Sequence, residues 1–470
     1  MSWRLEVSIE QTAITTMRTL AMDAVEKAGS GHPGTAMALA PVVYAVWQDY
    51  LRFDPEDPIW PNRDRFVLSV GHASTVLYTI LHLAQVKAVN PEYETLGQPS
   101  ITLDDLKRFR QIDSKAAGHP EYRWTSGIEA TTGPLGQGVA TSVGMAMAGR
   151  WMASYFNRPG FEMFDYDVYT ISGDGCLMEG ISYEAASLAG HFQLSNLCWI
   201  YDSNRITIEG RTDLAFTEDV TGRFEAMQWN VVHVEDANDL EALRTSIDTF
   251  KATGDKPTLI IVDSVIAWGS PNKQDSETAH GDPLGEAEVR LTKRVYGWPE
   301  EAKFMVPDDV YKHFASGVGT RGSALRDAWI EMFTEYEEAY PDLADELHRM
   351  QKRRLPDGWD AGLPTYEPDK NGIATRQSSG EVLNVMAQNV PWLLGGAADV
   401  APSTKTWLSF PGAGTFQADR QDGRNIHFGV REHAMAAIAN GLSLSKIRPY
   451  TSTYLIFSDY ARNPIRLSAL

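Results

Sequence analysis

The sequence predicts an α/β protein with a doubly wound parallel sheet. Five short apolar runs recur along the first part of the chain, with helical patterns between them: FVLSV (66–70), VYTIS (168–172), LCWIYD (197–202), NVVHV (230–234) and TLIIVDSVI (258–266). Continuous apolar runs of this length are typical of strands buried on both faces of a parallel sheet. The loops GHAS, GDG, SNRI and AWGS should cluster beyond the carboxyl ends of the strands, where such sheets bind ligands.

The first helix is predicted to begin after Ser8. Ser8 and Gln11 resemble a capping box, and apolar residues follow at helical spacing until Gly29. This helix leads into the loop SGHPG at 30–34.

The pattern changes beyond residue 320. An amphipathic helix around Trp329 is interrupted by Pro341, and the charged stretch HRMQKRRLPDGWD follows. We therefore expect a first domain at 1–330, a linker at 331–370 and a partial second α/β domain at 371–470. The strand candidates of this second domain are VPWLLGG, NIHFGV and RPYTSTYLIF. About 100 residues that end on a helix candidate should leave this second sheet open.

Composition excludes several classes of protein. The 62 acidic and 42 basic residues give a formal net charge of −20, which argues against nonspecific nucleic-acid binding. Only Cys176 and Cys198 occur, so a disulfide framework is not expected. The first 20 residues lack the pattern of a signal peptide, and the apolar run 36–47 is too short to span a bilayer. We expect a cytoplasmic protein with no membrane partner.

Asp174 lies between two glycines directly after a predicted strand, and Asn204 follows the next predicted strand. Consecutive strands of a right-handed crossover end side by side, so the two side chains can face one ion. One charged and one neutral oxygen ligand suit Mg²⁺, which leaves coordination sites for phosphate oxygens and water. The pair therefore predicts a clamp for a metal-bound diphosphate. The plain alternative is that Asp174 caps a helix and Asn204 makes a turn.

Together with GDG and the asparagine, motifs in a fixed order carry a resemblance to a known family: SGHPG, LSVGHAS, AAGHPE, TTGPLGQG, GDGCLMEGIS, YDSNRITIEG, HGDPLG, ATRQSSG, GGAADVAPS and FGVREHAM. In this order and register they resemble transketolases from residue 8 to the last residue. The resemblance implies transfer of a two-carbon ketol unit through thiamine diphosphate, for example from xylulose 5-phosphate to ribose 5-phosphate in the pentose phosphate pathway.

The resemblance also implies the cofactor site. Asp174, Asn204 and the carbonyl of Ile206 would hold Mg²⁺ or Ca²⁺. The remaining cofactor contacts carried over from the motifs are His72, Gly133, Leu135, Gly175, Glu179 and His280. Leu135 would support the cofactor rings, although a leucine in such a loop can also be a plain turn residue.

A second group would act on the aminopyrimidine ring. Glu432 of VREHAM would share a proton with it, the plain alternative being an acid stabilised at a helix N-terminus. Phe457 and Tyr460 match aromatic residues around that ring, and Tyr454 stands where many relatives have phenylalanine. In the family the two halves of each site come from different subunits, so Glu432 would act on the partner's cofactor in a homodimer. Glu179 and Glu184 resemble acids that link the two cofactor sites.

Substrate contacts complete the set implied by the family. His32 and His280 would transfer protons, and His119 would contact the terminal hydroxyl of the sugar. Arg376 and Ser403 match positions that bind the sugar phosphate, a task suited to a guanidinium and a hydroxyl group. His82, His191, His233 and His427 have no such setting, and we expect structural roles for them.

The chain departs from the family at two places. Val70 stands where relatives often have asparagine, and the part of a transketolase beyond RLSAL is missing. Two alternatives therefore remain: a fragment or split-enzyme subunit that binds cofactor and metal but is inactive until a second chain completes it, and a related ketol-transferring enzyme such as dihydroxyacetone synthase or phosphoketolase.

Overall fold

The computed structural model of the chain describes residues 7–470. The first six residues, with which the predicted first domain begins, lie outside the described residues. The helices are α1 Ile9–Ala28, α2 Pro33–Tyr44, α3 Ser74–Leu83, α4 Leu103–Lys107, α5 Gln137–Phe156, α6 Asp174–Met178, α7 Gly180–His191, α8 Val220–Ala226, α9 Leu240–Ala252, α10 Glu286–Val295, α11 Asp308–Phe314, α12 Thr320–Ala339, α13 Pro341–Gln351, α14 Thr375–Asn389, α15 Ala401–Thr404, α16 Glu432–Leu444 and α17 Arg462–Ala469.

The strands are β1 Arg65–Leu68, β2 Lys87–Val89, β3 Thr95–Pro99, β4 Val168–Gly173, β5 Leu197–Ser203, β6 Ile206–Thr207, β7 Gly210–Arg211, β8 Asn230–Val234, β9 Thr258–Asp263, β10 Leu393–Ala397, β11 Asn425–His427 and β12 Arg448–Ser452.

Five strands form the predicted parallel sheet, in the order β1-β4-β5-β9-β8. Each arises from one of the five apolar runs, and every neighbouring pair is parallel. The buried strands β4 and β5 are neighbours, with Gly173 in register with Asp202. This confirms the α/β fold class and places the ends of the two strands side by side.

The second sheet contains three parallel strands in the order β11-β10-β12. Strands β11 and β12 lie within their predicted runs, and β10 begins within VPWLLGG and ends one residue beyond it, at Ala397. The run RPYTSTYLIF was expected to be extended throughout, but β12 ends at Ser452 and residues 455–461 form a tight helical turn. Residues 331–370, expected as a linker, contain the second half of α12 and all of α13.

Two glycines bring α5 and α16 into close contact. A Cβ atom on Gly144 would overlap the carbonyl oxygen of Ile438, and one on Gly441 would overlap that of Thr141. Only glycine permits this approach, which fixes α16 against the first sheet's helices. The N-terminus of α16, which carries Glu432, is thereby positioned next to α7.

Apolar side chains from both parts share one core that includes Trp151, Trp199, Trp392 and Ile438. Within residues 7–470, no helix is long and apolar enough to cross a membrane.

Candidate active site

Asp174 is the first residue of α6, directly after β4. Its side chain does not cap that helix. Instead, Oδ1 accepts a hydrogen bond from the Tyr201 hydroxyl at 2.5 Å, and Oδ2 accepts one from the backbone N–H of Arg205 at 3.1 Å. The residue is 5% exposed, and burial raises the pKa of Asp174 to about 6. A buried carboxylate without a compensating cation is costly, so the site favours the arrival of a positive charge.

Asn204 lies in the loop beside Asp174. Its Oδ1 accepts from the backbone N–H of Ile206 at 2.9 Å, and its Nδ2 donates to Asp202 Oδ2 at 2.7 Å. Asp202 is itself buried and accepts from the Ser264 hydroxyl, and burial raises the pKa of Asp202 to about 7. The amide is thus oriented from both ends. Its carbonyl oxygen keeps a second lone pair for another contact.

The donor set fits a hard cation. Within residues 7–470, no group of three or more His, Cys, Asp or Glu side chains is arranged to hold a metal ion. An ion at Asp174 and Asn204 would therefore take its other ligands from backbone carbonyls, water or phosphate oxygens, as Mg²⁺ does.

Small residues keep the backbone open around Asp174. A Cβ atom on Gly175 would lie 2.7 Å from Leu135 Cδ1, and one on Gly173 would lie 2.9 Å from Val70 Cγ1. Gly133 has φ 145°, and a Cβ atom there would lie 3.3 Å from the His119 ring. The loops that carry these glycines therefore pack directly on one another and leave room for a close backbone approach to a ligand.

Three imidazoles meet at the same edge of the sheet. The ring centroids are 5.0 Å apart for His32 and His72, 5.2 Å for His72 and His280, and 5.7 Å for His32 and His280. The buried Nδ1 atoms of His32 and His280 have no hydrogen-bond partner within residues 7–470. Unpartnered buried polar atoms of this kind are typical of a site that awaits a ligand.

Burial keeps these rings neutral. It lowers the pKa of His32 to about 4, helped by the nearby His280 and Arg110, and it lowers the pKa of His72 well below its usual range. The pKa values of His280 and His119 are also lowered by burial. A neutral imidazole has one N–H donor and one free nitrogen that can accept a hydrogen bond or a proton.

Glu432 lies at the first position of α16, 8% exposed, where its Oε1 accepts from the Thr453 hydroxyl at 3.0 Å. Glu184 of α7 accepts from the backbone N–H of Ala434 at 3.0 Å, and burial raises the pKa of Glu184. Gln137, which follows the GPLG turn, contacts the His433 ring at 2.8 Å. These contacts join the start of α16 to α5 through Gln137 and to α7 through Glu184. Glu179 is the residue between α6 and α7, beside Gly136.

The aromatic group near the end of the chain is open to solvent. The ring centroid of Phe457 lies 5.7 Å from that of Tyr454 and 6.2 Å from that of Tyr460. Tyr454 is 41% exposed, Phe457 37% and Tyr460 66%. Arg376 is exposed at the start of α14, and Ser403 lies partly buried in α15. These three aromatic residues, Arg376 and Ser403 all belong to the second α/β unit. They make none of the hydrogen bonds or ring contacts described above for Asp174, Asn204 and the three imidazoles.

The sequence patterns missed Tyr201 and Asp202. Both lie in the run LCWIYD, where they were counted as strand residues, yet they hold Asp174 and Asn204 in place. The polar residues at the end of that run were the available signal.

Two of the histidines for which structural roles were predicted make contacts away from the site. His82 contacts the Tyr311 hydroxyl and the Ile101 carbonyl, and His233 contacts Thr221.

Comparison with known proteins identifies the family. Residues 9–356 match the family described as "Transketolase, thiamine diphosphate binding domain", and residues 371–470 match "Transketolase, pyrimidine binding domain". The chain belongs to the transketolase family. It is 48% identical over 464 residues to the transketolase of Geobacillus stearothermophilus, covering 98% of this chain and 67% of that protein.

Solved transketolases share the fold. The transketolase from Leishmania mexicana superposes with a TM-score of 0.92 at 42% identity, covering 98% of this chain and 66% of that one. A Pichia stipitis transketolase in complex with sedoheptulose-7-phosphate gives the same TM-score and identity, covering 98% and 67%. The chain therefore spans about two thirds of the length of these relatives.

Proposed function

We propose that this chain takes part in the transketolase reaction, the transfer of a two-carbon ketol unit from a ketose phosphate such as xylulose 5-phosphate to an aldose phosphate such as ribose 5-phosphate. Thiamine diphosphate, when bound, supplies the carbanion chemistry as an electron sink. One observation carries the proposal: the buried Asp174 and Asn204 and the neutral imidazoles of His32, His72 and His280 lie at the carboxyl edge of one parallel sheet.

The metal assignment rests on charge. Asp174, Asn204 and the carbonyl of Ile206 would hold Mg²⁺ or Ca²⁺, and the ion would offset a carboxylate whose pKa burial has raised to about 6. Gly175 and Gly133 would admit the diphosphate, with His72 and His280 beside it. The Leu135 side chain fills the space that a Cβ atom on Gly175 would occupy, and it would support the cofactor rings.

The proton-transfer assignment rests on the neutral state of the imidazoles. Among the described residues, 7–470, the buried Nδ1 atoms of His32 and His280 have no hydrogen-bond partner, and these rings would exchange protons with the substrate hydroxyl groups. His119, whose ring packs on Gly133, would contact the terminal hydroxyl. Arg376 and Ser403 would bind the sugar phosphate from the second α/β unit.

A homodimer would complete each site. Glu432 is buried against Thr453 of its own chain, whereas Phe457 and Tyr460 are exposed and free to cover a partner's cofactor. In this arrangement Glu432 would hold a proton on the aminopyrimidine ring bound by the other subunit, and Glu179 and Glu184 would lie between the two sites. We also place the protein in the cytoplasm and in the pentose phosphate pathway.

A second candidate is a piece that binds thiamine diphosphate and metal but turns over only when another polypeptide supplies the rest of the enzyme. The exposed apolar side chains of Leu455 and Ile456 after β12 favour it, because they are 91% and 69% exposed and offer a surface to another chain. A related activity, that of a dihydroxyacetone synthase or a phosphoketolase, would use the same clamp.

The test is titration of the chain with thiamine diphosphate and Mg²⁺, followed by an assay of ketol transfer in the same sample. Binding with turnover supports the enzyme. Binding without turnover supports the second candidate, and no binding would refute both. Localisation of the tagged protein checks the cytoplasmic assignment.

A further inference from the structure

A cavity lies at the amino end of β1, at the opposite end of that strand from the candidate active site. Its volume is about 360 Å³, within the range of roughly 300–1,000 Å³ that is typical of small-molecule sites. Arg63, which lines it, comes two residues before the start of β1, whereas the loop GHAS follows the other end of the strand. None of the residues assigned above to cofactor, metal or substrate lines this cavity.

Two separate segments form its walls and are tied to each other. One is the turn between β2 and β3, and the other is the segment 122–129. The backbone N–H of Val89 donates to Ser126 Oγ at 2.8 Å, and the Arg123 guanidinium donates to the carbonyl of Pro91 at 2.8 Å. The cavity is therefore a preformed space between connected walls.

The floor is a buried ion pair with donors to spare. Arg63 is 6% exposed and Glu129 is 8% exposed. Arg63 donates to the two carboxylate oxygens of Glu129 at 2.8 and 2.7 Å and to the carbonyl of Trp60 at 2.9 Å. A guanidinium has five N–H groups, so two of those on Arg63 have no partner within residues 7–470. Because Arg63 is buried and lines the cavity, a ligand in the cavity is the partner these donors can reach.

Two phenol groups add further donors. Tyr93 and Tyr122 line the cavity from opposite walls. Their backbone N–H groups donate to the carbonyl of Asn90 and to Thr131 Oγ1, whereas their hydroxyl groups make no hydrogen bond within residues 7–470. Both phenols also act electrostatically on Arg63. The donors of the floor and of both walls therefore face one small space.

The charge of the lining is positive. Lys115 and Arg123 line the cavity, and neither has a carboxylate partner within residues 7–470. Lys115 Nζ instead lies 4.2 Å from the centroid of the Trp124 ring. Because Glu129 balances Arg63, the lining keeps two uncompensated positive charges in a chain of formal net charge −20. Such a lining favours an anion.

The rest of the lining is apolar and includes Pro58, Ile59, Val89 and Ile128. An inorganic ion would leave this apolar surface against water, and a neutral apolar molecule would leave the donors without an acceptor. A molecule with an apolar body and one anionic group satisfies both parts of the lining.

We propose that this cavity binds a small organic carboxylate with an apolar, ring-sized body. The carboxylate accepts from the two remaining N–H groups of Arg63 and from the phenol hydroxyls, near the charges of Lys115 and Arg123. The body packs on Ile59 and Ile128. The site needs no residue of the candidate active site, so it stands or falls separately from ketol transfer.

The test is calorimetric titration of the full chain with three probes: benzoate, benzamide and inorganic phosphate. Benzamide keeps the ring and lacks the charge, whereas phosphate keeps charge and lacks the ring. We expect benzoate to bind at one site, and each of the other two probes to bind at least about tenfold more weakly. Benzamide or phosphate that binds as tightly as benzoate, or benzoate that gives no signal, overturns the proposal.

Two variants locate the binding. Lys115→Gln and Tyr93→Phe should each raise the Kd for benzoate at least about threefold, because each removes one charge or one donor from the lining. The matched controls are Lys107→Gln, at an exposed lysine paired with Asp104, and Tyr366→Phe, at an exposed tyrosine bonded to Glu381. Neither control should change the Kd. Equal effects of the variants and their controls would place the binding elsewhere and overturn the proposal.

A crystal structure of the unaltered chain with benzoate decides the matter even if a variant fails to fold. Benzoate in this cavity, with its carboxylate at hydrogen-bond distance from Arg63, supports the proposal. Benzoate found only at another place, or binding at crystal concentration only, refutes it.

Discussion

Replacement of Asp174 by asparagine separates the cost of its buried charge from its use as a metal ligand. The change is nearly isosteric, and both neighbours can adapt, since the amide oxygen can accept from the Arg205 N–H and the Tyr201 hydroxyl can accept from the amide nitrogen. The variant should therefore fold as the unaltered chain does.

The magnitude follows from the pKa. Burial raises the pKa of Asp174 from 3.8 to about 6. Because one pKa unit corresponds to roughly 1.36 kcal/mol, keeping this carboxylate ionised at pH 7 costs the folded chain about 3 kcal/mol. The folded pKa lies above the unfolded one, so this contribution favours folding below about pH 4 and is lost as pH rises through about 6. Asparagine removes the cost.

The assay is thermal unfolding at pH 7 with and without Mg²⁺ and thiamine diphosphate. Roughly 2.1 cal/mol/K per residue over the roughly 320 residues of the first α/β unit converts 3 kcal/mol into about 4 °C. We expect Asp174→Asn to unfold up to about 4 °C higher without ligands, and to gain far less than the unaltered chain when both ligands are added.

Asp263→Asn is the matched control. Asp263 ends β9 at the same edge of the sheet, is partly exposed and pairs with Arg205 at 3.5 Å. Its replacement should leave the response to ligands unchanged. A variant at 174 that melts lower without ligands, or that responds to Mg²⁺ as fully as the unaltered chain, would contradict the reasoning.

Three further changes test the site and its support. Glu432→Gln keeps an acceptor for Thr453 and should leave cofactor and metal binding within about threefold, while turnover falls at least about a hundredfold because the proton on the aminopyrimidine is lost; unchanged turnover would remove the assignment. Gly175→Ala places a Cβ atom 2.7 Å from Leu135 Cδ1 and should weaken cofactor binding roughly tenfold in calorimetric titration, whereas Gly180→Ala, which meets nothing within 4 Å, should leave it unchanged. Gly441→Ala forces α16 off α5 and should cost at least about 3 kcal/mol of the free energy of unfolding in urea, whereas Gly254→Ala, with open space around it, should cost less than about 1 kcal/mol.

The sequence predicts the first sheet well because four of its five strands, β1, β4, β5 and β9, are buried along nearly their whole length, and only the edge strand β8 is partly exposed. The runs that became β4 and β5 needed no register argument, since every residue of β4 and every residue of β5 up to Asp202 is buried. The prediction that the strand β12 extends to residue 457 is wrong, because composition alone does not distinguish a strand from an exposed helical turn. TYLIF has strand composition, but Thr453 turns toward Glu432 and the exposed residues after it wind into a helical turn.

The site was predictable where topology alone brings residues together. Asp174 and Asn204 follow consecutive strands, so a crossover places them side by side without knowledge of any side-chain contact. The supporting roles of Tyr201 and Asp202 had only one signal, the polar residues at the end of the run, because in a buried strand alternation no longer distinguishes a core residue from one that faces the site. The contact between α5 and α16 depends on two glycines 297 positions apart, Gly144 and Gly441, which no local pattern connects.

The charges at the carboxyl edge of the first sheet explain why a metal-bound diphosphate suits this chain better than either part alone. Burial raises the pKa of both Asp174 and Asp202, so each carboxylate is held at a cost that a cation relieves. Burial also keeps His32 and His72 neutral, so these rings offer a phosphate hydrogen bonds but no charge. A free anion would therefore meet carboxylates without a counter-ion, while the cation and the diphosphate together satisfy the carboxylates and the N–H donors at once. This argument predicts that the two ligands bind cooperatively: the Kd for thiamine diphosphate measured without Mg²⁺ should be at least about tenfold weaker than with it, and equal values would mean that Asp174 and Asp202 do not govern the site.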